Sequence, residues 1–265
     1  MPEEKRFLID VGMRGLPFPI RVHSRDCAEG QPTIANISIS ARIMREFQAK
    51  WIETFIQILH RHRDNIGPHS LSTNIRAYME ELKASTVRVD FEYPFFYEKR
   101  TPVSKERCLV RHSCTHSAKL SSMESEPKIF GRVEIPLITT YPGSIAETAG
   151  GLFGQLTLMD IDVELARPQF HPEDFIDIAD RHALAPVYSF LTEEDQASII
   201  QRIHTEAKSS VVVTDEVKEE LARDPNIRWY SVRCRNSAML HTHTTFVGTE
   251  KSMWVPLSTY EEEAI

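Results

Sequence analysis

Cysteines and long apolar segments are both scarce in this chain. Its 265 residues include four cysteines at irregular spacing, whereas small secreted domains that depend on disulfides are rich in cysteine. No apolar run approaches the ~20 residues of a membrane-spanning helix, and the charged first residues lack the apolar stretch of a signal peptide. We therefore expect a cytoplasmic protein that does not enter a membrane. We expect free thiols at Cys27, Cys108, Cys114 and Cys234.

An excess of positive charge is also lacking. The chain has 38 acidic and 31 basic residues and a net charge of -7, whereas nonspecific binding to nucleic acid needs clustered lysine and arginine. We therefore expect no nucleic-acid partner. With 41% hydrophobic residues, a chain of this length can bury a substantial core.

The first half of the chain is predicted to fold in the order strand, strand, helix, helix, strand, strand. Alternating apolar residues predict the strands, and apolar residues three or four apart predict the helices. The predicted strands are Ile20–His23, Thr33–Ser40, Thr86–Tyr93 and Arg107–Ser117. The predicted helices are Arg42–Arg63 and Ser72–Lys83, the second with Ser72 as its N-cap.

The second half repeats this order with one additional helix. Its predicted strands are Ile129–Thr139, Gly154–Leu165, Arg228–Arg235 and Ala238–Val247. Its predicted helices are Pro172–His182, Thr192–His204 and Thr214–Asp224. Thr192, with Asp195 three residues later, is typical of a helix N-terminus with a capping box.

The repeated order predicts an α+β fold made of two tandem half-units. Each half-unit would be an antiparallel sheet with helices on one face. We expect one domain over residues 1–265, with half-units at about 1–122 and 128–265 joined by the polar segment Ser121–Lys128. Edge strands of such sheets need partners, which predicts an oligomer.

His241 and His243 are the first catalytic candidates. Residues two apart on a strand face the same side of the sheet, and two imidazoles can act as acid and base near neutral pH. The alternative is a pair of solvent-facing histidines on a terminal strand.

Glu92 is the third catalytic candidate. It lies between Phe91 and Tyr93, and burial among aromatic rings would suit a carboxyl group to proton transfer. The alternative is a sheet residue that pairs with Arg88 or Lys99.

A row of possible metal ligands follows one predicted strand. Cys108, His112, Cys114 and His116 share one face of that strand, and their side chains are typical zinc ligands. Residues i, i+2 and i+4 on a straight strand span ~13 Å, however, which is too far for one ion. We therefore expect ordinary strand residues here, and zinc binding stays the alternative.

Three segments resemble the GTP cyclohydrolase IB family. They are Asp10–Ile20 at the opening strand, Phe91–Ser104 with the run FEYPFFYEKRTPVS, and Arg228–His243, which closes with LHTH. Together they span nearly the whole chain. The resemblance implies the tunnelling fold, in which such half-units pair and active sites lie between subunits. It also implies an enzyme that binds purine or pterin rings and opens the imidazole ring of GTP with a metal-bound water.

The chain departs from this family at the metal ligands. Tyr141 stands where the resemblance predicts a ligand cysteine, Phe153 where it predicts a ligand histidine, and Gln196 where it predicts an acidic ligand. A catalytic metal needs about three protein ligands and an open position, and this set does not supply them. Without the ion, no bound water is activated at neutral pH. We therefore expect no metal and no cofactor.

The same region has lost positive charge. Ile145 and Leu156 stand where the resemblance predicts a lysine and an arginine, which would favour a triphosphate. We expect Tyr141 and Phe153 to stack on a flat ligand instead and Gln196 to hydrogen-bond the edge of its ring. Core filling by the two aromatic residues is the alternative.

Three functions stay open from the sequence. The first is a divergent GTP cyclohydrolase IB-like enzyme with a more apolar pocket, acting without the usual metal on a small cyclic or aromatic substrate in a specialised biosynthetic pathway. The second is a non-catalytic ligand-binding or assembly paralogue. The third is a GTP cyclohydrolase with relocated metal ligands. We expect a homo-oligomer, a dimer or a tetramer, with sites between subunits.

Overall fold

The computed structural model describes residues 8–25, 29–44, 50–62, 68–146, 151–237 and 240–251. Its first half contains four strands and two helices. The strands are β1 Leu8–Val22, β2 Gln31–Met44, β3 Ala84–Arg100 and β4 Arg107–Ser121. The helices are α1 Trp51–His62 and α2 Pro68–Glu81.

The second half contains five strands and three helices. The strands are β5 Lys128–Thr140, β6 Gly154–Leu165, β7 Ala185–Pro186, β8 Ile227–Ser237 and β9 Thr244–Glu250. The helices are α3 Pro172–His182, α4 Glu193–Thr205 and α5 Ser210–Arg223. None of the helices within these ranges has both the length and the apolarity that crossing a bilayer requires.

The strands form one continuous antiparallel sheet. Its order is β1-β2-β3-β4-β5-β6-β8-β9, with the two-residue β7 paired to β5. The two sheets expected from the sequence are joined because β4 pairs with β5, from Ser113 opposite Glu134 to Lys119 opposite Lys128. The predicted α+β class with helices on an antiparallel sheet is confirmed. The division into two half-units stays a prediction.

The core lies between one face of this sheet and the helices. Strand β5 alternates between buried and half-buried residues along nearly its whole length, which is the period of two expected for a sheet with one covered face. Helix α2 packs on β3 and β4, and α5 packs on β8 and β9. The opposite face carries charged side chains that pair across strands, such as Arg132 with Asp162 at 2.5 Å.

Several predicted boundaries in the first half are wrong. β1 begins at Leu8 rather than Ile20, and β3 continues to Arg100 rather than ending at Tyr93. The helix expected over Arg42–Arg63 begins only at Trp51, because strand β2 continues through Ile43, which is fully buried. Buried residues alternate with exposed ones at Ile39, Ala41 and Ile43, so the strand continues past the residue at which the helical spacing predicted a helix. Ser72 is not an N-cap, since α2 begins at Pro68, where the fixed φ of proline suits a first turn.

The second half follows the prediction more closely. β6 and α3 have the predicted boundaries. The capping box of Thr192 and Asp195 is confirmed, with both reciprocal hydrogen bonds present. The last predicted strand is shorter than expected, because β9 begins at Thr244; residues 238 and 239 lie outside the described ranges.

The connections that join β3 to β4, β5 to β6 and β8 to β9 lie at the same end of the sheet, which we call the hairpin end. The last pair of β1 and β2, Val22 with Gln31, lies toward this end as well. Antiparallel pairing places these connections together, because the pairs that border them, such as Thr140 with Gly154 and Ser237 with Thr244, close adjacent hairpins. Tyr141, Phe153 and the loop 240–243 therefore belong to one end of the molecule.

Candidate functional site

Tyr141 and Phe153 form a stacked aromatic pair, directly after the last residue of β5 and directly before the first residue of β6. Their ring centroids are 5.1 Å apart and their planes meet at 14°, an offset-stacked arrangement that aromatic pairs favour. The amide of Tyr141 donates to the carbonyl of Phe153 at 2.9 Å, so the two residues extend the strand pairing by one step. The sequence placed both residues at one site, and the structure brings them into contact.

The turn between β3 and β4 is held to α4 by Asp195. The carboxylate of this fully buried residue accepts hydrogen bonds from the amides of Val103 at 2.8 Å and Ser104 at 3.0 Å, and from the Ser104 hydroxyl at 2.6 Å. Burial alone would raise the pKa of Asp195, but the hydrogen bonds from Ser104, Thr192 and Val103 outweigh it and hold the pKa well below its usual range. The start of α4 therefore belongs to the hairpin end.

Gln196 follows Asp195 on the first turn of α4. Its side chain is exposed, and its amide donates to the carbonyl of Leu191 at 3.3 Å. Gln196 thus shares the hairpin end with the aromatic pair. This side-chain hydrogen bond is made to the segment just before α4. The role of Gln196 in holding a ligand therefore remains a prediction.

His241 and His243 lie in the loop between β8 and β9. The expectation that a strand presents them is wrong, since β9 begins at Thr244. Both side chains are exposed, and their rings nevertheless stack with centroids 4.9 Å apart and an interplanar angle of 21°. The loop therefore brings the two imidazoles together as predicted, although by a different backbone conformation.

A buried amide connects this histidine loop to the rest of the hairpin end. Asn236 is 2% exposed, and its carbonyl oxygen accepts from the hydroxyl of Thr157 on β6 at 2.8 Å. Its amide nitrogen donates to Ser210 Oγ at 3.1 Å and to Thr245 Oγ1 at 3.4 Å. One side chain thus bridges β6, the start of α5 and the start of β9.

The hydrogen bonds continue from Thr157 toward the aromatic pair. Thr157 Oγ1 lies 2.9 Å from Thr139 Oγ1, which accepts from Gln155 Nε2 at 3.2 Å. All three side chains are buried, and Gln155 and Thr139 lie two residues from Phe153 and Tyr141. Buried polar side chains that satisfy one another specify a single arrangement, so this chain fixes the two candidate groups relative to each other.

Replacing Asn236 by leucine is expected to loosen the start of β9 selectively. The substitution leaves the Thr245 and Ser210 hydroxyls without this partner and lowers the free energy of unfolding by about 1.5 kcal/mol. Amide hydrogen exchange at residues 244–248 should accelerate at least tenfold, and the contact between the two imidazole rings should be lost from NMR spectra. Thr214→Val is the matched control, because this buried hydroxyl contacts Ser210 and Cys234 but not β9. Equal exchange at β9 in both variants would contradict the bridging role.

Glu92 lies elsewhere. It is exposed on the charged face of the sheet, midway along β3 and opposite Thr115, and not at the hairpin end. The expected burial is therefore wrong, because the alternation of β3 buries Phe91 and Tyr93 instead. Glu92 lines a cavity of about 240 Å³ together with Arg132, Glu134, Asp160 and other polar residues. Glu92 is a sheet residue, as the alternative stated, but the two proposed partners pair elsewhere: Arg88 with Asp90 and Lys99 with Asp180.

Comparison with known proteins identifies the family. The family model described as type I GTP cyclohydrolase folE2 matches residues 2–247. The chain belongs to this family. The resemblance stated from the sequence is thereby confirmed as membership of a GTP cyclohydrolase family, while the designation IB stays a finer assignment.

Two relatives show the extent of this similarity. The chain is 28% identical over 242 residues to GTP cyclohydrolase FolE2 of Geobacter sp. strain M21, covering 91% of this chain and 89% of the relative. It is 28% identical over 249 residues to GTP cyclohydrolase FolE2 of Dictyoglomus turgidum, covering 94% of each. The similarity is thus spread over the whole fold.

A solved structure supports the architecture. Urate oxidase of Bacillus sp. TB-90 aligns with a TM-score of 0.56 at 10% sequence identity, over 93% of this chain and 100% of that one. At this identity the likeness concerns the fold alone. It confirms the tunnelling fold predicted from the sequence.

The side chains at the predicted ligand positions do not fit a catalytic metal. Phenylalanine has no donor atom, and Tyr141 and Gln196 bring no charge to offset a divalent cation. Across the ranges that the structure describes, no three histidine, cysteine, aspartate or glutamate residues are arranged to hold a metal ion. Of the four cysteines in the sequence, Cys27 lies outside the described residues. No step through a metal can be derived from these side chains.

The alternative zinc row on β4 is also not arranged as a site. Cys108, His112, Cys114 and His116 share one buried face, as predicted. His112 Nδ1 lies 3.3 Å from the carbonyl of Glu134, while His116 Nδ1 lies 3.0 Å from the hydroxyl of Tyr93. Burial lowers the pKa of each histidine to about 3. These residues belong to the core between the sheet and α3.

Proposed function

We propose that this member of the type I GTP cyclohydrolase folE2 family is a divergent GTP cyclohydrolase IB-like enzyme with a more apolar pocket. It would act without the usual catalytic metal on a small cyclic or aromatic substrate, in a specialised biosynthetic pathway. The observation that carries this proposal is the stack of Tyr141 on Phe153 at the two positions where the resemblance predicts a cysteine and a histidine ligand.

The surface of the hairpin end supports an apolar pocket completed by a second subunit. Many of the large apolar side chains that are exposed in the described ranges lie on segments that border this end. Among them are Val103, Leu109, Ile145, Leu156, Val211, Val212 and Leu240. Exposed apolar residues concentrated in one region favour an interaction surface, which agrees with a homo-oligomer that has its sites between subunits.

The histidine pair would carry the proton transfers. His241 and His243 stack in an exposed loop, where a substrate has access to both rings. One neutral imidazole can accept a proton from the substrate while the other, protonated, donates one. Glu92, the third candidate of the sequence, lies on the charged face, so its catalytic role would require a site formed with another subunit.

The names of the relatives favour a second candidate function. Proteins 28% identical over nine-tenths of the chain are called GTP cyclohydrolase FolE2. If this chain hydrolyses GTP in the same way, its metal must be held by residues outside the described ranges or by a second subunit. This candidate differs from the first in requiring a bound metal.

Incubation with GTP distinguishes the two candidates. Purified protein is supplied in turn with zinc, manganese and iron, and formate release and a pterin-type product are followed. We expect neither, with the fold intact by circular dichroism. Metal-dependent formate release would contradict the proposed function and support the second candidate.

The role of His241 is tested on a panel of planar heterocycles and nucleosides. For any compound that the protein converts, His241→Ala should lower kcat at least ~100-fold, as for loss of a general acid or base. Thr242→Ala is the matched control, since it lies between the histidines without taking part in the proposed proton transfer. Conversion that survives His241→Ala would contradict this role. Binding without any conversion would favour a non-catalytic paralogue.

A further inference from the structure

Tyr141 and Phe153 do not offer the same surface to a ligand. Tyr141 is 9% exposed, and one face of its ring is covered by Phe153. Phe153 is only partly buried, so it keeps surface that Tyr141 leaves open. A flat ligand cannot lie between the two rings, because they are already at stacking distance from each other.

A tight turn fixes Tyr141 in this covered position. The amide and the hydroxyl of Ser144 both donate to the carbonyl of Tyr141, at 3.0 and 2.7 Å. The turn brings the backbone of Gly143 against the ring, so that a Cβ at this residue would lie 2.7 Å from Tyr141 Cε1. The missing side chain of Gly143 thus permits the close approach. The ring of Tyr141 therefore lies between the ring of Phe153 and the backbone of Gly143.

Positive charge near the pair is already engaged. Lys208 pairs with Glu216 at 2.7 Å, and Arg202 pairs with Glu206 at 2.9 Å. Lys105 donates to the carbonyl of Pro102 at 2.6 Å. Carboxylates already neutralise two of these cations, so less favourable charge is available to a triphosphate, whereas an uncharged ring does not depend on it.

We propose that Phe153 is a one-sided stacking platform for a planar heterocycle without phosphate, such as a nucleobase or nucleoside, and that Tyr141 is its fixed backing. The proposal rests on the proposed function and names its ligand class. It also revises the expectation that both rings contact the ligand.

Guanosine and GTP are the probes, and binding is measured by isothermal titration calorimetry. We expect guanosine to bind at least ten times more tightly than GTP. Phe153→Ala should weaken guanosine binding about tenfold or more, the range found for loss of one base-stacking ring. Phe153→Trp should retain binding. Phe96→Ala is the matched control, as an exposed phenylalanine on β3 that is not part of the apolar surface at the hairpin end.

A second variant tests the charge argument. Leu156 is exposed near the start of β6, three residues after Phe153, and Leu156→Arg restores the positive charge that the resemblance predicts at this position. We expect this variant to narrow the preference for guanosine over GTP at least threefold. An unchanged preference would overturn the argument from charge.

The stacking platform is overturned if guanosine does not bind, if GTP binds more tightly, or if Phe153→Ala binds like Phe96→Ala. These outcomes are distinct from failure of the proposed function. Guanosine bound through Phe153 but never converted would leave the platform in place and remove the catalytic assignment. Metal-dependent formate release from GTP would contradict the proposed function, whichever way the Phe153 variants bind.

Discussion

We expect Gly131→Ala to lower the free energy of unfolding by about 3 kcal/mol, toward the upper end of the cost of overpacking a core. Gly131 lies on the central strand β5, where the ring of Phe170 packs directly on its backbone. A Cβ at this position would overlap the ring, lying 2.7 Å from Phe170 Cζ and closer still to two other ring atoms. The ring cannot retreat easily, because it stacks on Phe175 at 5.0 Å and contacts His116 edge-on at 4.7 Å.

Urea unfolding of paired variants measures this effect. Gly248→Ala is the control, since its added Cβ would meet the flexible Cγ of Arg233 at 3.1 Å, and we expect it to cost less than 1 kcal/mol. Phe170→Leu should relieve the overlap, so that Gly131→Ala costs at least 1 kcal/mol less in that background. Equal costs for the two glycine variants would contradict the packing described here.

Part of the fold was predictable because local signals and tertiary structure agree. Residue periodicity predicted the boundaries of β6 and α3, and the capping pattern at Thr192 predicted the start of α4. The prediction of a helix from Arg42 was wrong because Ile43 fits both the helical period and the strand period. It is four residues from Phe47 and also alternates with Ala41, and only the pairing of β2 with β3 decides for the strand.

The candidate site was predictable only in part. Tyr141 and Phe153 followed from the resemblance, which identified the positions that have lost metal ligands. Asn236 was missed because its importance depends on which residues oppose it, Thr157 on one side and Thr245 on the other. The sequence signal that could have identified Asn236 is a polar residue at a position that strand alternation predicts to be buried.

Glu92 and Asp195 illustrate the same limit. Glu92 lies between two aromatic residues and is exposed, whereas Asp195 lies between Glu194 and Gln196 and is fully buried. The alternation of β3 makes Glu92 exposed. The burial of Asp195 depends on the turn between β3 and β4, about ninety residues away in sequence, whose amides donate hydrogen bonds to the carboxylate.

We expect stability to decrease on acidification because of His116. This residue is fully buried between β4 and α3, and burial, with further contributions from His171 and His23, lowers its pKa to about 3. In the unfolded chain the pKa of histidine is near ~6.5. Below that pH the unfolded state binds a proton that the folded state does not, so the free energy of unfolding falls as the pH falls toward 3.

The size of the loss in unfolding free energy follows from the pH interval over which the unfolded histidine becomes protonated. Between pH 7.5 and 4.5 the unfolded histidine becomes protonated over about two pH units, and each unit contributes about 1.4 kcal/mol. We therefore expect His116 alone to account for about 3 kcal/mol of the loss. His112, whose pKa burial also lowers to about 3, adds a loss with the same sign.

Urea unfolding at pH 7.5, 6.0 and 4.5 tests this expectation in wild type and in His116→Gln. The glutamine can hydrogen-bond Tyr93 and does not titrate, so the variant should be less stable at pH 7.5 but lose about 3 kcal/mol less on acidification. Phe170→Leu is the control for packing, since it disturbs the same contact without removing a titrating group. Its curve should run parallel to that of the wild type. If the stability curve of His116→Gln also runs parallel to that of the wild type, His116 takes up a proton in the folded protein. The assignment of a buried, neutral imidazole would then be wrong.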